Sequence, residues 1–325
     1  MPTKTCLVLG ATGQDGSLLC KSLSKQGLKV FGTCRKDIKT CTNHKKLKIE
    51  DRIQLLKTDL SNQSQIRQLI QQIKPSEIYN LAAQSSVGKS FSMPKDTFES
   101  IVSITINLLE ACRDISYEGR IFFAGSSEMY GEHNSIITIN SQKNPCSPYG
   151  IAKLCSYNLV KMYREIHNLK CVTGIFFNHE SALRNKNFVT HKIIEAAIRC
   201  KTNREYHINL GNLNVFRDWG WAEEYMEAAK IINRSDKYKD YIVCTGTKMK
   251  LEQFVDFAFQ EKNLNWKNHV VLDKTINRPS DIYISYGDPK ELKDDLEWEA
   301  SIKDKSLIKK LIEERELISN LSLMP

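Results

Sequence analysis

Several signatures of membrane, secreted and metal-binding proteins are missing from this sequence. No apolar run approaches the ~20 residues that a bilayer-spanning helix needs, and the chain enters its first apolar segment almost at once, so we expect neither a membrane span nor a signal peptide. The ten cysteines never stand at the two-residue intervals of zinc or redox motifs, which predicts no metal site. We therefore expect a reduced, cytoplasmic protein without a membrane partner.

The composition is that of an ordinary globular protein. Apolar residues make up 41% and charged residues 26% of the 325-residue chain, which has neither an internal repeat nor a low-complexity linker. This length supports one large domain or two lobes. The formal charge of +9 favours anionic ligands such as phosphates. Because the basic residues are not interleaved with aromatic ones as in nucleic-acid-binding motifs, no nucleic-acid partner is expected.

Short apolar runs alternate with amphipathic stretches through the first half of the chain. We predict strands at residues 5–9, 29–33, 53–56, 78–83, 120–124 and 171–177, and helices at residues 17–26, 63–73, 100–113 and 149–167. Strands that alternate with helices form βαβ units, and their strands align in a buried parallel sheet. The pattern predicts an α/β protein with a doubly wound parallel sheet of the Rossmann type.

The alternation ends near residue 178. The remainder has polar loops, a helix near residues 190–199 and one further strand near residues 241–245. We expect residues 1–178 to form a Rossmann domain that residues 212–246 rejoin. Residues 179–325 should form mainly a smaller C-terminal lobe that binds the substrate.

A glycine-rich turn separates the first predicted strand from the first helix. Its sequence is Gly-Ala-Thr-Gly-Gln-Asp-Gly over residues 10–16. Glycines permit a tight turn and bring backbone N–H groups against a pyrophosphate at the N-terminus of the helix. The turn predicts a dinucleotide site formed by Gly10, Thr12, Gly13, Gln14, Asp15 and Gly16.

The residues after the second predicted strand distinguish between the two nicotinamide dinucleotides. An acid there would accept hydrogen bonds from the ribose 2′-hydroxyl of NAD. The sequence Thr-Cys-Arg-Lys at residues 33–36 has none, and the Arg35 guanidinium can hold the 2′-phosphate of NADP, so NADP is the predicted cofactor. The basic stretch at residues 39–48 is interpreted as a solvated loop rather than a second ligand site. Asp59 either contacts the adenine or forms a turn.

Tyr149, Lys153 and Ser126 indicate redox chemistry on an alcohol. Tyr149 and Lys153 stand four residues apart at the start of a predicted helix, so their side chains share one face. A fixed ammonium stabilises a phenolate, so Lys153 should lower the pKa of Tyr149 and make it a base for a hydroxyl proton. Ser126 follows the fifth predicted strand, at the carboxyl edge of the sheet where ligands bind, and completes a triad for oxidising an alcohol carbon.

Glu128 points to a longer reaction than simple hydride transfer. Oxidation of an alcohol does not need a carboxylate two residues after the serine, whereas removal of a proton beside a new ketone needs a base. Glu128 is therefore a candidate base and acid for the elimination of water. The alternative is a surface glutamate that caps a turn.

These residues belong to a set of motifs that resembles a known family. Over nearly its whole length the chain is similar to the GDP-mannose 4,6-dehydratases, which are extended short-chain dehydrogenases/reductases. The motifs that carry the resemblance lie at residues 10–17, 78–85, 126–131, 147–153, 177–181, 188–190, 210–213, 217–220, 278–279 and 287–289. Asn-His-Glu-Ser at residues 178–181 and Arg-Asp-Trp-Gly at residues 217–220 are the most specific of them.

The resemblance implies an NADP-dependent lyase that converts GDP-mannose to GDP-4-keto-6-deoxymannose. Tyr149 would take the C4 hydroxyl proton while the C4 hydride moves to NADP⁺, and Ser126 would hydrogen-bond the C4 oxygen. Glu128 would then remove the C5 proton that the new ketone acidifies. Water would leave from C6 and the hydride would return to C6, so the cofactor would be regenerated in every turnover.

The same resemblance implies ligand contacts and a homo-oligomer. Contacts with the GDP-sugar are expected from Ser85, Ser126, Glu128, Asn178, Val189, Lys192, Gly211, Arg217, Arg278 and Asp281. Further cofactor contacts are expected from Asp59, Leu60, Leu81, Ala83, Ser85, Tyr149, Lys153, His179 and Arg184. The expected partners are the GDP-sugar and further copies of this chain, in a dimer or a tetramer.

The sequence departs from the family pattern at four places. Ser126 replaces a threonine, Ser86 replaces a histidine, Asp96 replaces an aromatic residue near the cofactor, and the loop at residues 182–186 lacks one of two arginines. Three alternatives therefore stay open. They are a 4,6-dehydratase of a related GDP-sugar such as a GDP-manno-heptose, a GDP-sugar C4 oxidoreductase or epimerase, and a catalytically silent NADP-binding module.

Overall fold

The computed structural model describes residues 4–35, 37–276 and 280–321. The strands are β1 (Thr5–Leu9), β2 (Lys29–Cys34), β3 (Ile53–Lys57), β4 (Glu77–Asn80), β5 (Arg120–Ser126), β6 (Cys171–Phe176), β7 (Asn178–Glu180), β8 (Ile208–Leu210), β9 (Phe216–Arg217), β10 (Trp219–Trp221), β11 (Tyr241–Val243), β12 (Met249–Lys250), β13 (Val270–Leu272) and β14 (Ile284–Ser285). The α-helices are α1 (Gln14–Lys25), α2 (Thr42–Leu47), α3 (Gln63–Ile73), α4 (Val87–Ser92), α5 (Pro94–Phe98), α6 (Ile104–Asp114), α7 (Pro148–His167), α8 (Val189–Thr202), α9 (Ala222–Arg234), α10 (Leu251–Gln260), α11 (Lys290–Leu296) and α12 (Asp304–Leu321).

Seven of the strands form one parallel sheet in the order β11-β6-β5-β4-β1-β2-β3. Alternate residues of β1 pack into two different cores. Cys6 and Val8 pack with residues of α1 and α9 on one face, while Leu7 and Leu9 pack with residues of α3 and α6 on the other. Helices therefore cover both faces, and the predicted doubly wound parallel sheet is confirmed.

The strand order reverses between β1 and β4, and this reversal determines where a ligand can bind. The connections from β1 run toward β2 and β3 on one side, and those from β4 run toward β5 and β6 on the other. In open α/β sheets, such a switch point leaves a crevice outside the carboxyl ends of the strands. The crevice here lies between the glycine turn after β1 and the loop after β4.

The predicted end of β4 was wrong by three residues. The strand ends at Asn80 and not at residue 83, because the Asn80 side chain accepts a hydrogen bond from Ala82 N (3.3 Å) and turns the chain out of the sheet. This turn brings the backbone of Ala82 against Gly10. The predicted helix at residues 100–113 also begins differently, with a π-helical turn at Glu99–Ser103 before α6.

The basic stretch at residues 39–48 is not simply a solvated loop, as the sequence had suggested. It contains α2, which packs against α1 and the glycine turn. The His44 side chain is 1% exposed, and its Nε2 lies 2.8 Å from the carbonyl oxygen of Ala11. Asn43 Nδ2 donates to the carbonyl of Thr12 (3.1 Å). Lysine is the commonest residue in this segment, but the side chains of Asn43 and His44 attach the segment to the glycine turn.

The second half of the chain builds a smaller core and also returns to the main sheet. Apolar residues of α8, α10 and α12 form this second core, with Leu307, Ile308 and Leu311 on the inner face of the Lys- and Glu-rich α12. β11 lies beside β6 at one end of the seven-stranded sheet, and β10 pairs with β7 in parallel. Within the described ranges no helix has the length and apolar character needed to cross a membrane.

A buried ion pair links α7 to the loop before β11 and allows a prediction about stability. The Asp240 carboxylate accepts from both terminal nitrogens of Arg164 (2.8 and 2.7 Å) and from Thr173 N (2.7 Å). Asp240→Ala would leave the guanidinium without its carboxylate, so we expect it to lower the free energy of unfolding by about 3–5 kcal/mol. Urea unfolding followed by circular dichroism measures this loss.

Asp236→Ala is the matched control for that variant. Asp236 also pairs with an arginine, Arg120, but its side chain is 88% exposed. An exposed pair contributes about 0–1 kcal/mol. Equal losses of stability in the two variants would contradict the assignment of the Asp240 pair as a buried structural link.

Candidate active site

The glycine turn forms a backbone cradle at the start of α1. Gly10 has φ +78°, and a Cβ there would lie 2.8 Å from Ala82 Cα; a Cβ on Gly16 would lie 2.2 Å from Gly10 O. Glycine is therefore required at both positions. Gly13 is the N-cap of α1 without a side-chain cap, and a Cβ on it would meet only Gly10 O, at 3.7 Å. The open space before the free N–H groups fits the pyrophosphate of a dinucleotide.

The Asn-His-Glu-Ser motif lies against this cradle. Gln14 Nε2 donates to the carbonyl of His179 (3.2 Å), and Ser181 Oγ donates to Gln14 Oε1 (2.9 Å). His179 Nε2 lies 3.1 Å from Asp15 Oδ2. The structure therefore brings together three of the predicted cofactor residues, Gln14, Asp15 and His179, from opposite halves of the chain. Ser181 was missed as a partner because nothing in its spacing points to residue 14.

Arg184, another predicted cofactor residue, is held beside the same motif. Its Nε lies 3.1 Å from Glu180 Oε2, and its guanidinium lies 3.7 Å from the centre of the Phe188 ring. Glu180 is 1% exposed and also accepts from Thr190 Oγ1 (2.8 Å). Burial raises the pKa of Glu180, and the Arg184 charge acts in the opposite direction. Arg184 thus compensates a buried carboxylate at the edge of the site.

The predicted adenosine side of the site is more exposed. Arg35 directly follows β2 and is exposed. Asp59 Oδ1 accepts from the backbone N (2.9 Å) and the hydroxyl (2.7 Å) of Ser61, so Asp59 forms the turn that the sequence left as an alternative. Leu60 packs into the core beside α3. The remaining predicted residues, Leu81, Ala83 and Ser85, follow β4 at the carboxyl edge of the sheet.

Ser126, Tyr149 and Lys153 converge at the carboxyl ends of β4, β5 and β6. Ser126 ends β5, and the other two side chains come from the first turns of α7. α7 starts here because Pro148 occupies its first position and the Ser147 hydroxyl accepts from Gly150 N (3.1 Å). Each member of the triad is 8% exposed, and Ser126 hydrogen-bonds the Tyr149 side chain.

The expectation that Lys153 lowers the pKa of Tyr149 is wrong for this arrangement. Burial raises the pKa of Tyr149 to about 12; the hydrogen bond from Ser126 opposes this rise, and the charge of Glu128 adds to it. Lys153 Nζ lies 5.8 Å from the centre of the Tyr149 ring and donates to Ala124 O (2.7 Å). Burial lowers the pKa of Lys153 to about 8. Desolvation therefore outweighs the attraction between the ammonium and the phenol.

Glu128 lies beside the triad. It belongs to a 3₁₀ turn at Ser127–Met129 and is partly buried. Its backbone N donates to Ser126 Oγ (3.3 Å), so the Ser126 hydroxyl caps this turn. A Cβ on Gly150 would lie 2.5 Å from Glu128 O, which shows how closely α7 packs on this turn. The structure thus places a carboxylate next to a serine–tyrosine–lysine triad.

Ser85, Ser126 and Glu128 lie in the first half of the chain, and the other predicted substrate residues that the structure describes lie on the smaller lobe and on β7. Arg217 in β9 is buried, and its Nη2 lies 2.8 Å from Asp281 Oδ1. These two residues are 64 positions apart, so no local pattern could have paired them. Asn178 begins β7, Val189 begins α8, Lys192 is exposed on α8, and Gly211 follows β8. Arg278 lies outside the described residues.

Among the residues that the structure describes, no group of three or more His, Cys, Asp or Glu side chains is arranged to bind a metal ion. All ten cysteines are free thiols, and seven of them are buried. Glu128 and Tyr149 provide a carboxylate and a phenol on the same side of the sheet as the glycine turn. This combination suits proton transfers coupled to hydride transfer.

Comparison with known proteins identifies the family of this chain. A sequence model described as GDP-mannose 4,6 dehydratase matches residues 7–311. GDP-mannose 4,6 dehydratase 1 of Arabidopsis thaliana is 36% identical over 96% of this chain and 90% of its own length. GDP-mannose 4,6-dehydratase of Sinorhizobium fredii is 34% identical over 93% of this chain and 94% of its own length.

Solved structures are similar to the fold as well. The dTDP-glucose 4,6-dehydratase of Bacillus anthracis, in complex with NAD, has a TM-score of 0.84 and 16% identity, with 97% of each chain covered. The family model spans most of the chain, and both relatives are more than 30% identical to it over more than nine-tenths of its length. This chain therefore belongs to the GDP-mannose 4,6-dehydratase family, whose members are enzymes that use a nicotinamide cofactor and a nucleotide-sugar substrate.

Proposed function

We propose that this enzyme converts GDP-mannose to GDP-4-keto-6-deoxymannose and water, with NADP⁺ as a cofactor that is regenerated in each turnover. The observation that carries the proposal is Glu128, which lies beside the triad at the carboxyl edge of the sheet. An oxidoreductase or epimerase acting at C4 needs the triad alone, whereas elimination also needs a base for the C5 proton.

Tyr149 and Ser126 act at C4. A nicotinamide held at the glycine turn would supply the hydride acceptor for C4 and the hydride donor for C6. Tyr149 Oη takes the proton of the C4 hydroxyl as a phenolate, a form that burial disfavours and the hydrogen bond from Ser126 favours, and the Ser126 hydroxyl orients the C4 oxygen. The Lys153 ammonium provides a positive charge behind the phenol, and Ala124 O fixes its position. Burial of the triad keeps water away from these steps.

Glu128 acts at C5 and C6. Once C4 is a ketone, the C5 proton is acidic, and the Glu128 carboxylate removes it as the C6–O bond breaks. The C6 hydroxyl leaves as water with the proton that Glu128 took from C5, and a C5–C6 double bond remains. After hydride addition to C6, Glu128 relays a solvent proton to C5, and Tyr149 releases the C4 hydroxyl proton to solvent. Atoms and charge balance, because the substrate loses one water and the cofactor ends in its starting oxidation state.

NADP and not NAD is the proposed cofactor because of the charge at the end of β2. Arg35 is a cation exposed at that position, where an acid would be expected for NAD. A guanidinium can bind a 2′-phosphate with two parallel hydrogen bonds. Cofactor residues after β3 and β4 would be Asp59, Leu60, Leu81, Ala83 and Ser85.

The proposed division of labour assigns the nucleotide sugar mainly to the second half of the chain. Residues 1–178, with residues 212–246, would hold the cofactor, and the rest of residues 179–325 would bind the GDP-sugar. Arg278 and Lys192, together with Arg217 from residues 212–246, would neutralise the diphosphate, and Asp281 would accept hydrogen bonds from ribose or guanine. Asn178, Val189, Gly211 and Ser85 would contact the sugar or its nucleotide.

We also propose that the enzyme works as a cytoplasmic homo-oligomer. Phe98 on α5 and Ile106 on α6 are each 37% exposed, and Ile151 on the adjoining α7 is 46% exposed. Large apolar side chains on neighbouring helices suit burial against a second copy. Sedimentation equilibrium would give the mass, and a monomer at micromolar concentration would contradict this part of the proposal. The ten free thiols suit the reducing cytoplasm.

The test of the function is a product analysis. Purified protein is incubated with GDP-mannose and a catalytic amount of NADP⁺, with NAD⁺ in a parallel reaction, and the sugar nucleotide is identified by mass spectrometry. We expect a product lighter by one water, faster with NADP⁺, and without accumulation of NADPH. The same incubation is repeated with GDP-manno-heptose, and turnover of the heptose but not of GDP-mannose would make the heptose the substrate. In a third incubation with a GDP-keto-sugar, consumption of one NADPH per sugar would indicate a C4 oxidoreductase.

A further inference from the structure

The cradle for the cofactor contains a carboxylate. Asp15 is the second residue of α1, directly beside the N–H groups that receive the pyrophosphate, and its side chain is 27% exposed. An isolated negative charge there would repel an anionic ligand and would weaken the positive end of the helix dipole. The presence of Asp15 therefore requires a compensating partner.

Both oxygens of Asp15 are occupied by donors. Gln14 Nε2 donates to Oδ1 (2.9 Å), and His179 Nε2 lies 3.1 Å from Oδ2. His179 Nδ1 lies 2.7 Å from the carbonyl oxygen of Phe177. A carbonyl only accepts hydrogen bonds, so Nδ1 must carry a proton, and Nε2 faces a carboxylate. The geometry thus matches a doubly protonated imidazolium that donates from both ring nitrogens.

The surroundings of His179 also favour the charged ring. The imidazole stacks on the Tyr225 ring, with 4.8 Å between centroids and 24° between planes, and the Phe176 ring lies 5.2 Å away. Aromatic faces attract cations. Burial lowers the pKa of His179, but the charge and hydrogen bond of Asp15 outweigh it and raise that pKa above its usual 6.5. Burial likewise raises the pKa of Asp15, but His179 brings it down to about 2.

We propose that His179 is a positioning residue that, as an imidazolium, cancels the charge of Asp15 in the diphosphate cradle and holds the Gln14–Asp15 turn ready for the cofactor. The pair joins residues 164 positions apart and connects β7 to α1. This inference rests on the proposed dinucleotide cofactor but not on the sugar chemistry. Its test therefore measures the binding of NADP⁺ alone.

The test is a double-mutant cycle on the dissociation constant of NADP⁺, measured by calorimetry. His179→Gln removes the cation and leaves Asp15 charged, so we expect the dissociation constant to rise about tenfold to hundredfold. Adding Asp15→Asn to His179→Gln removes the uncompensated charge. The double variant should therefore have a dissociation constant for NADP⁺ within about threefold of wild type. If the losses of NADP⁺ affinity caused by His179→Gln and by Asp15→Asn simply add in the double variant, His179 acts only by packing and the inference is wrong.

His269→Gln provides the matched control. His269 is also buried, its ring stacks on Phe259 with 24° between planes, and its Nδ1 lies 3.2 Å from a backbone carbonyl, but it belongs to the smaller lobe. This variant loses comparable packing without touching the cradle. We expect an unchanged dissociation constant for NADP⁺, and a loss equal to that of His179→Gln would contradict the proposed role.

The pH dependence gives an independent measurement. The charged and titratable groups around the His179 ring are Asp15 from α1, Glu180 and Arg184 from the segment of β7, and Tyr225 from α9. Because the pKa of His179 is raised, the affinity for NADP⁺ should be highest at low pH and fall as pH rises through that raised value. The Asp15→Asn, His179→Gln double variant should lack this dependence. Parallel profiles in wild type and double variant would overturn the inference.

Nitrogen-15 spectra of the wild-type imidazole avoid any dependence on how the variants fold. His179 should show two protonated ring nitrogens at pH 7, and a neutral ring would overturn the inference. Wild-type protein that binds neither NADP⁺ nor NAD⁺ would overturn the proposed function together with it. Wild type and His179→Gln that bind NADP⁺ equally well would overturn this inference alone.

Discussion

Replacing Glu128 with glutamine should stop the reaction after the oxidation at C4. The amide cannot accept the C5 proton, while the Ser126–Tyr149–Lys153 triad keeps its groups for the first step. Loss of a general base typically lowers a rate about 10²- to 10⁴-fold, so product formation should fall by that factor. Reduced cofactor should then accumulate, which it should not do in the wild-type enzyme.

Two measurements identify the step at which this variant stops. In a single turnover with NADP⁺-loaded enzyme, the absorbance of NADPH should rise and persist in the variant. In D₂O, the wild-type product should carry deuterium at C5, and the sugar recovered from the variant should not. Full product formation by the variant would remove Glu128 from the mechanism.

Glu132→Gln is the matched control for Glu128→Gln. Glu132 lies four residues further on, is exposed, and accepts hydrogen bonds from the backbone N of Tyr283 and of Ile284. Glutamine keeps an oxygen that can accept from these groups. We therefore expect turnover close to that of wild type. This result would show that elimination depends on the carboxylate of Glu128 and not on the total negative charge of the loop.

Replacing Tyr149 with phenylalanine should abolish the reaction at its first step. The ring still fills its buried position, but the oxygen that removes the C4 hydroxyl proton is gone, and Ser126 loses its hydrogen bond to Tyr149 while it keeps the one from Glu128 N. We expect turnover to fall about 10³-fold or more. Unlike Glu128→Gln, this variant should show no rise in NADPH in a single turnover, because oxidation at C4 does not occur.

Tyr130→Phe tests whether any buried tyrosine hydroxyl near the site matters. Tyr130 is 0% exposed, and its hydroxyl has no hydrogen-bond partner among the described residues. Its removal should leave turnover unchanged. Retained oxidation in Tyr149→Phe would mean that another group removes the C4 proton, and the assignment of Tyr149 as the base would be wrong.

Local patterns were sufficient for the parallel sheet and for the identity of the triad. The predicted bounds of β1 and α3 are those of the structure, because an alternation of short apolar runs and amphipathic stretches is a local property. The glycine turn was equally readable, since strand, glycines and helix follow one another directly. His44 was misjudged because its neighbours in sequence are lysines, whereas its burial depends on Ala11 across the fold.

The protonation states depend on contacts that no spacing encodes. The pKa of Tyr149 was expected to fall because Lys153 stands four residues away, but burial by the whole active site raises it to about 12. The pairing of Asp15 with His179 and of Arg217 with Asp281 joins residues 164 and 64 positions apart. In each case the deciding quantity is the desolvation or the neighbour that the folded chain supplies.

The sequence by itself determined the fold class and the glycine turn, and it pointed to Tyr149 with Lys153 and to Ser126 with Glu128, because each of these patterns consists of residues within a few positions of one another. Only the tertiary structure decided that Asp59 forms a turn, that Ser126 caps the turn of Glu128, and that His179 compensates Asp15. The physical reason is that hydrogen bonds and charges act over a few ångströms in space. Only folding brings distant parts of the chain that close.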